Sequence, residues 1–179
     1  MQLTTERLIV RPVQPADVDD LFRIYGDPAT NTFNPSGPYP DIHYAEFVLD
    51  RWLAHWQNRG FGNWAICPQD QPQKIIGFGG LSHINIDTIT INNLGYRFAT
   101  EAWGKGLATE FARRAIRFGF GQLGLNEISA VVRENHYDSQ NVLKKSGLRY
   151  SGKIHDVANA AASLMFTLTA EEWRNKGGD

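Results

Sequence analysis

The feature that most constrains the fold is a pair of glycines placed directly before a helix. Residues 101–120 read EAWGKGLATEFARRAIRFGF, in which Gly104 and Gly106 flank Lys105. Apolar residues then recur at helical spacing from residue 107 to residue 118, while the preceding LGYRF (Leu94–Phe98) is typical of a strand. The first N–H groups of a helix have no partner inside it, and the aligned peptide dipoles add about half a positive charge there. This strand–glycine–helix order predicts an anion site, with phosphate as a common occupant, or a plain strand-to-helix turn.

Two phosphate-binding motifs are excluded by the spacing of these glycines. A P-loop requires G-x-x-x-x-G-K-[ST], which the chain lacks here. A dinucleotide fingerprint requires G-x-G-x-x-G, and Thr109 stands where its third glycine belongs. The sequence therefore argues against a nicotinamide-dependent enzyme.

The remaining pattern predicts a mixed sheet with helices on its faces, an α/β or α+β domain. Asp27–Pro40 carries four prolines and a glycine and is predicted to be a loop. The segments flanking PQDQPQ are predicted to form a hairpin. The predicted strands are 7–11, 64–66, 75–78, 84–91, 94–98, 128–132 and 164–168; the predicted helices are 18–25, 44–56, 106–120, 139–146 and one that starts at the capping box 169–172.

Length and composition limit the class of protein. The 179 residues suit one domain, and the net charge of −1 gives no global attraction to nucleic acid or to anionic membranes. Cys67 is the one cysteine, which excludes an intrachain disulfide and fits a reducing compartment. No apolar run approaches the roughly 18 residues of a membrane span, and the N-terminus lacks a signal-like stretch. We expect a cytoplasmic protein without nucleic-acid, membrane or metal partners.

The segment WGKGLATE (residues 103–110) resembles the acetyl-CoA pyrophosphate loop of the GCN5-related N-acetyltransferases (GNATs), whose pattern is [QR]-x-x-G-x-[GA]. Gly106 and Ala108 fill two of its positions, and Trp103 departs from the first. A tryptophan followed by GKG and ATE is similar to the RimJ/RimL-like branch, the ribosomal-protein N-acetyltransferases. Five more segments resemble that branch in the same order: TERLIVR (5–11), IGF (76–78), LGYR (94–97), VLKKSGL (142–148) and LTAEEW (168–173).

The resemblance implies the GNAT fold: a mixed, mostly antiparallel central sheet with flanking helices, forming a single domain over residues 1–179. It implies a splayed parallel pair of strands, Leu94–Phe98 and Ile128–Arg133, with the pantetheine of acetyl-CoA between them and no metal. The residues implied to bind this cosubstrate are Phe98, Ala99, Trp103, Gly104, Lys105, Gly106, Leu107, Ala108, Thr109, Asn135 and Ser139.

Asn135 has two interpretations. The family often carries N-x-x-S after the second splayed strand, but here Asn135 precedes Ser139 by four residues, so the strict spacing selects His136. Asn135 is therefore expected either to bind the cofactor or to cap the following helix. The basic trio Arg113, Arg114 and Arg117 likewise fits a contact to the ribose phosphate or a solvated helix face.

The catalytic groups are assigned less directly. The resemblance implies that a strand N–H near Tyr96 polarises the thioester carbonyl, where negative charge develops during attack. The amine must lose a proton, and Glu101 and His83 are the leading candidate bases, each with a surface role as the alternative. Asp87, Glu46 and His43 are further candidates.

The residue that protonates the departing thiolate is not evident in the sequence. Leu143 stands where many GNATs carry a tyrosine, and Tyr137 is out of register and interpreted as a packing residue. Because a thiol pKa is about 8.5, the thiolate can leave without a dedicated acid.

The predicted activity is acetyl-CoA-dependent transfer of an acetyl group to a primary amine, in a ternary complex. The acceptor is expected to be a protein N-terminus or a small amine, and the protein a monomer or homodimer. The alternative is a non-catalytic acyl-CoA sensor. The loop Asp27–Pro40 and the segment Lys153–Ala161 are expected to line the acceptor pocket or to be plain connections.

We expect acetyl-CoA to raise the melting temperature (Tm) of the protein, whereas NADH at the same concentration leaves it unchanged. A ligand that binds only the folded state stabilises it by about 2.7 kcal/mol at 100 times its Kd. Differential scanning fluorimetry measures both. Stabilisation by NADH together with no effect of acetyl-CoA would contradict the resemblance.

Overall fold

The computed structural model describes residues 1–178 and contains eight strands and five α-helices within them. The strands are β1 (Leu3–Thr4), β2 (Leu8–Pro12), β3 (Asn63–Pro68), β4 (Gly77–Ile86), β5 (Ile89–Phe98), β6 (Glu127–Val132), β7 (Arg149–Ile154) and β8 (Ser163–Thr169). The helices are α1 (Val18–Tyr25), α2 (Ile42–Arg59), α3 (Leu107–Gly121), α4 (Tyr137–Lys145) and α5 (Ala170–Asn175).

The strands form one sheet in the order β1-β2-β3-β4-β5-β6-β8-β7. Parallel pairing occurs between β5 and β6, where Asn93 lies opposite Ser129. Antiparallel pairing joins β1 to β2, β2 to β3, β3 to β4, β6 to β8 and β7 to β8. The expected mixed, mostly antiparallel sheet with flanking helices is confirmed.

Contacts within the chain group the residues into two compact units. Unit 1 comprises Met1–Gly80 and Tyr96–Leu107. Unit 2 comprises Leu81–Gly95 and the chain from Ala108 onward. The expectation of a single domain stays a prediction.

The core of unit 1 lies where α1 and α2 pack on the sheet. Leu21, Ile24 and Leu49 from the helices meet Ala65 and Phe78 from the strands. The helical spacing that predicted residues 18–25 and 44–56 therefore marks the buried faces of real helices, and α2 is longer than expected at both ends. At the start of α1, the buried Asp17 accepts two hydrogen bonds from Arg11, at 2.9 and 2.8 Å.

The core of unit 2 lies between α3 and the strands of that unit. The apolar face of α3 is buried, and Gly119 lies so close to the sheet that a Cβ there would come within 2.8 Å of Ile128 Cδ1. Leu143 of α4 is 1% exposed. The predicted capping box is confirmed: Thr169 Oγ1 accepts from the Glu172 N–H, and Glu172 accepts from the Thr169 N–H, both at 3.1 Å.

Two strand predictions in unit 2 are wrong. Residues 84–91 were expected to form one strand, but the chain reverses at Asp87–Thr88, so β4 ends and β5 begins within this segment. Asp87 has φ 53°, in the left-handed region that Asp tolerates better than most residues. Alternation of apolar and polar residues continues through the turn and conceals it. Leu94–Phe98 is accordingly the second half of β5 and not a separate strand.

Two other features of unit 2 differ from expectation. Strand β7 was not predicted, because its sequence RYSGKI is mostly polar and only its last residue is buried. Tyr137, interpreted as a packing residue, is 69% exposed at the first turn of α4, so that interpretation is wrong.

Residues 1–178 contain neither a membrane-spanning helix nor a cluster of metal ligands. None of the helices there has the length and apolar character needed to cross a membrane. The same residues contain no group of three or more His, Cys, Asp or Glu side chains placed to hold a metal ion.

The ion pair at the start of α5 predicts a pH-dependent contribution to stability. Hydrogen bonds from Arg149 and then from the Thr169 backbone lower the pKa of Glu172 to about 2. A lowered carboxyl pKa stabilises the fold above the ordinary value of 4.5, and this stabilisation is lost as the pH falls toward 2.

Replacing Glu172 should therefore matter at neutral pH and not in strong acid. Glu172→Gln should lower the Tm slightly at pH 7, because the pair is exposed, and the gap from the parent should close between pH 4.5 and 2. Glu171→Gln, on the same helix turn, is the matched control and should show a smaller gap. Thermal melts across this range measure both. A gap for Glu172→Gln that persists at pH 2 would assign the loss to packing.

Candidate functional site

The loop before α3 adopts the backbone conformation that its glycines permit. Gly104 has φ 73° and Gly106 has φ 76°, whereas the intervening Lys105 does not have a positive φ. For residues other than glycine this region costs about 1–2 kcal/mol. Alternation of left- and right-handed residues turns successive N–H groups toward one side and forms an anion-binding concavity.

The N–H groups of this loop are available to a ligand. Within the described chain, the backbone N–H groups of Gly104, Lys105 and Gly106 donate no hydrogen bond to the protein. A Cβ at Gly104 would meet no atom within 4 Å, and one at Gly106 would meet only the end of the Arg7 side chain at 3.7 Å. The loop is exposed, and Leu107 begins the helix directly after it. The arrangement supplies unpaired donors at a helix N-terminus, as a phosphate site requires.

Two side chains hold the loop in place. The Trp103 indole N–H donates to the Phe98 carbonyl at 2.9 Å, although the ring is 52% exposed. Arg7 Nη1 donates to the Lys105 carbonyl at 2.8 Å and brings a second cation to the loop beside Lys105 itself. The sequence did not single out Arg7 for this role; the signal was its place in the TERLIVR segment.

The other predicted cofactor residues of unit 1 are mostly buried. The side chains of Phe98, Ala99 and Leu107 are 4–8% exposed, so only their backbone groups can face a ligand. The Ala99 N–H already donates to the Ile76 carbonyl at 2.8 Å, and the Ala99 carbonyl accepts from Ala102. The expected hydrogen bonding near residues 98 and 99 must therefore use the second acceptor position of a carbonyl or a neighbouring group.

The two leading base candidates lie in different surroundings, Glu101 in unit 1 and His83 in unit 2. Glu101 is exposed and forms an ion pair with Arg23 at 3.5 Å. His83 Nδ1 lies 2.9 Å from Asn92 Oδ1, and the Asn92 amide N donates to the Glu127 carbonyl at 3.0 Å.

The Asn92 bonds determine which nitrogen of His83 carries the proton. Because a backbone carbonyl only accepts, the orientation of the Asn92 amide is defined, and its Oδ1 must accept from His83 Nδ1–H. In the neutral ring the lone pair is then on Nε2, the form a general base needs.

The remaining base candidates have ordinary surface positions. Asp87 occupies the turn between β4 and β5 and is exposed. His43 and Glu46 lie one turn apart on α2 and face each other at 3.3 Å. These positions agree with the surface interpretation of the three residues.

The junction of β6 and α4 places the predicted late contacts in unit 2. The N-cap of α4 is His136, which makes no side-chain capping bond, so Asn135 does not cap this helix. Asn135 is exposed and Ser139 is half-buried. The buried Gln140, which the sequence did not single out, donates to the Arg133 and Glu134 carbonyls at 3.1 and 2.9 Å and fixes the turn.

Further residues of unit 2 have defined environments. Ala108 and Thr109 are half-buried in the first turn of α3. Arg113 donates to the Lys145 carbonyl at the end of α4, at 2.8 Å, and so already has a structural partner. Burial, followed by the nearby charge of Arg117, lowers the pKa of Arg114.

The two predicted acceptor loops are each pinned by a polar side chain. In Asp27–Pro40 the buried Asn31 amide donates to the Tyr25 and Asp27 carbonyls at 2.9 and 2.8 Å. In the segment after β7, the Ala161 carbonyl accepts from Arg133 at 2.9 Å. Neither loop is loosely attached, so each can present a fixed surface within its own unit.

Comparisons with known proteins agree with this architecture. A family model described as an acetyltransferase (GNAT) domain matches residues 7–149. An uncharacterized N-acetyltransferase of Bacillus licheniformis, p20, is 27% identical over 175 residues, which cover 96% of this chain and 97% of that protein.

Solved structures show the same fold. An acetyltransferase from Agrobacterium tumefaciens superposes with a TM-score of 0.79 at 24% identity, over 94% of each chain. Spermidine N-acetyltransferase from Vibrio cholerae, solved with CoA and spermine, gives a TM-score of 0.74 at 15% identity, over 96% of this chain and 100% of that one.

Substitution of Gly106 should separate ligand binding from backbone strain, because Gly60 offers a matched control. Gly60 ends α2 with the same φ of 76°, and a Cβ there would also meet open space. Gly106→Val and Gly60→Val should each cost about 1–2 kcal/mol of stability. Only Gly106→Val should raise the Kd of acetyl-CoA, by about tenfold or more, because charge-assisted hydrogen bonds from the loop N–H groups to the diphosphate are lost.

Calorimetric titration and thermal melts of the two variants provide the comparison. Equal Kd values for Gly106→Val and the parent would remove this loop from the ligand site. An equal loss of affinity in both variants would show that strain alone weakens binding.

Proposed function

Because the chain belongs to the acetyltransferase (GNAT) family and is an N-acetyltransferase, we propose that it acetylates a primary amine by direct attack in a ternary complex. The family uses acetyl-CoA as the acetyl donor. The observation that carries the proposal is the loop Trp103–Gly106, in which two glycines are left-handed and the N–H groups of Gly104, Lys105 and Gly106 donate to no atom of the described chain.

The residues of this loop fit a diphosphate. Its backbone donors face an exposed concavity without a Cβ, and Lys105 and Arg7 add positive charge beside it. Gly104, Lys105, Gly106 and Leu107 hold the diphosphate through their N–H groups, and the dipole of α3 favours its negative charge. Ala108, Thr109, Asn135 and Ser139 remain proposed contacts for other parts of the cosubstrate.

When bound, acetyl-CoA supplies an activated acetyl group: the acceptor nitrogen bonds to the acetyl carbon, the C–S bond breaks, and the thiolate leaves with its electron pair. The Tyr96 N–H binds the carbonyl oxygen, where negative charge develops. Phe98 and Ala99 align the pantetheine through backbone groups. Holding donor and acceptor together turns attack into a local event.

The proton of the acceptor amine goes to a general base, for which we favour His83. Its Nδ1–H donates to Asn92 Oδ1, so the lone pair of the neutral ring is on Nε2, the atom that we propose takes the proton. Glu101, in contrast, is an exposed partner of Arg23, which fits a structural role on the surface.

The acceptor is a small amine or a protein N-terminus. The six segments that resemble the RimJ/RimL-like branch favour the second, and the fold it shares with a spermidine N-acetyltransferase accommodates the first. The loop Asp27–Pro40 and the segment Lys153–Ala161 are the proposed walls of the acceptor pocket. The protein acts as a monomer or homodimer.

One observation favours a second candidate, a sensor that binds acyl-CoA without turnover. Leu143 stands where the resemblance places a proton-donating tyrosine, and it is a buried hydrocarbon. A leucine cannot protonate the departing thiolate, although a thiolate leaves without help more readily than most groups.

Release of free CoA, followed with a thiol reagent against a panel of primary amines and N-terminal peptides, tests the proposal. We expect turnover with at least one acceptor. His83→Gln should lower kcat by about 10²–10⁴-fold and remove the basic limb of its pH profile. His55→Gln is the matched control and should keep that profile.

Binding of acetyl-CoA without CoA release from any acceptor would favour the sensor. An unchanged pH profile in His83→Gln would exclude His83 as the base.

A further inference from the structure

Arg97 is a half-buried cation in the middle of unit 1, on β5 between Tyr96 and Phe98. Its guanidinium lies over the ring of Tyr25, 4.5 Å from the ring centre. Its Nη1 donates to Asn31 Oδ1 at 2.8 Å. These contacts fix the orientation of the guanidinium plane.

The charge of Arg97 has no acidic partner within residues 1–178. No carboxylate there lies within 4.0 Å of the guanidinium, and its other N–H groups donate to no protein atom. Two other arginines of unit 1 have acidic partners: Arg11 pairs with Asp17, and Arg23 pairs with Asp20 and Glu101. A partly desolvated cation without a counter-charge is costly, which makes this position unusual.

The neighbouring phenols do not supply the missing negative charge. Burial raises the pKa of Tyr25 to about 12, and it raises the pKa of Tyr39 further. Both hydroxyls are therefore neutral at physiological pH, and the Tyr25 ring offers only a cation–π contact.

The hydrogen bonds of the Asn31 amide hold Arg97 in one position. It is 5% exposed, and its amide N donates to the Tyr25 and Asp27 carbonyls. Its Oδ1 accepts from Asn34 as well as from Arg97, at 2.9 and 2.8 Å. A guanidinium held on one side by an amide and a ring retains a fork of donors for a planar anion, for which carboxylate is the best match.

Arg97 also lies on the proposed acceptor side of the strand. Successive residues of a strand face opposite ways, and the rings of Tyr96 and Phe98 lie 6.4 Å apart on the face opposite to Arg97. Arg97 instead faces Tyr25 and Asn31. Tyr25 lies just before the loop Asp27–Pro40, and Asn31 pins that loop. A group bound here would be close in sequence to the Tyr96 N–H that holds the reacting carbonyl.

We propose that Arg97 binds a carboxylate of the acceptor, so that the substrate is a compact primary amine that carries a carboxylate. This inference rests on the proposed function and narrows its acceptor class. Arg97 is thus a specificity-determining residue. A free amino acid and a peptide with an acidic residue beside its N-terminus both present this chemistry.

Matched acceptor pairs test the inference. Each pair is an amine with a free carboxylate and the same amine as its carboxamide: β-alanine with β-alaninamide, and 4-aminobutyrate with its amide. N-terminal peptides that differ by Asp or Asn at the second residue distinguish the peptide source from the free amino acid. Binding to the CoA-loaded protein is measured by calorimetry, and turnover by CoA release.

The readout is the preference for the carboxylate member, compared between variants. The parent should bind at least one carboxylate about 10- to 100-fold better than its amide, as expected of a charge-assisted bidentate pair. Arg97→Gln should abolish that preference, and Arg97→Lys should restore only part of it, since lysine lacks the planar fork. The ratio of carboxylate binding to amide binding within one variant does not depend on the fraction of that variant that is folded. The carboxylate and its amide differ in the basicity of their amines, and comparing this ratio between variants cancels that difference.

Arg51→Gln is the matched control, because Arg51 also lies over an aromatic ring, that of Phe47, at 5.7 Å. It should keep the parent's preference, and the acetyl-CoA Kd should stay the same in all variants. The inference is wrong if the parent shows no preference, or if Arg97→Gln retains it. If the binding preference depends on Arg97 but no acceptor is acetylated, the carboxylate site is supported and only the proposed activity is wrong.

Discussion

The proposed binding of acetyl-CoA depends on one backbone constraint, the pair of left-handed residues at Gly104 and Gly106. This turn lies between β5 and α3, and the N–H groups of Gly104, Lys105 and Gly106 in it donate to no atom of the described chain. Side chains would obstruct the concavity and would cost about 1–2 kcal/mol at each position. Trp103 and Arg7 then hold the loop from within, through the Phe98 and Lys105 carbonyls. The proposed anion site is thus a property of the backbone that a few side chains stabilise.

A different principle governs the proposed acceptor side, where we infer that buried polar groups set specificity. Asn31 uses its whole amide to tie the loop Asp27–Pro40 to the end of α1 and to orient Arg97. Such a network is rigid because each member would lose a hydrogen bond if it moved. The loop therefore holds the cation of β5, Arg97, in a fixed position through Asn31. The proposed donor site is built from backbone N–H groups, whereas the proposed acceptor site is built from side chains.

The sequence predicted the elements whose signals are local. Spacing alone predicts the strand–glycine–helix order at Gly104 and Gly106, the capping box at Thr169 and the apolar faces of α1 and α3. The turn at Asp87 was not predicted because the strand-like alternation of apolar and polar residues continues through it. Strand β7 was not predicted because an edge strand needs few apolar residues. Arg97 and Arg7 could not be found this way. Their hydrogen-bond partners are 66 and 98 residues distant in the chain, and no local pattern records such contacts.

A crystal structure with acetyl-CoA tests the central claim most directly. The account predicts that the diphosphate oxygens lie within about 3.2 Å of the backbone nitrogens of Lys105, Gly106 and Leu107, with φ of both loop glycines still positive. Lys105 or Arg7 should lie beside the same oxygens. The account would be contradicted if the diphosphate lay away from this loop, or if the loop N–H groups turned to bond the protein while acetyl-CoA was bound.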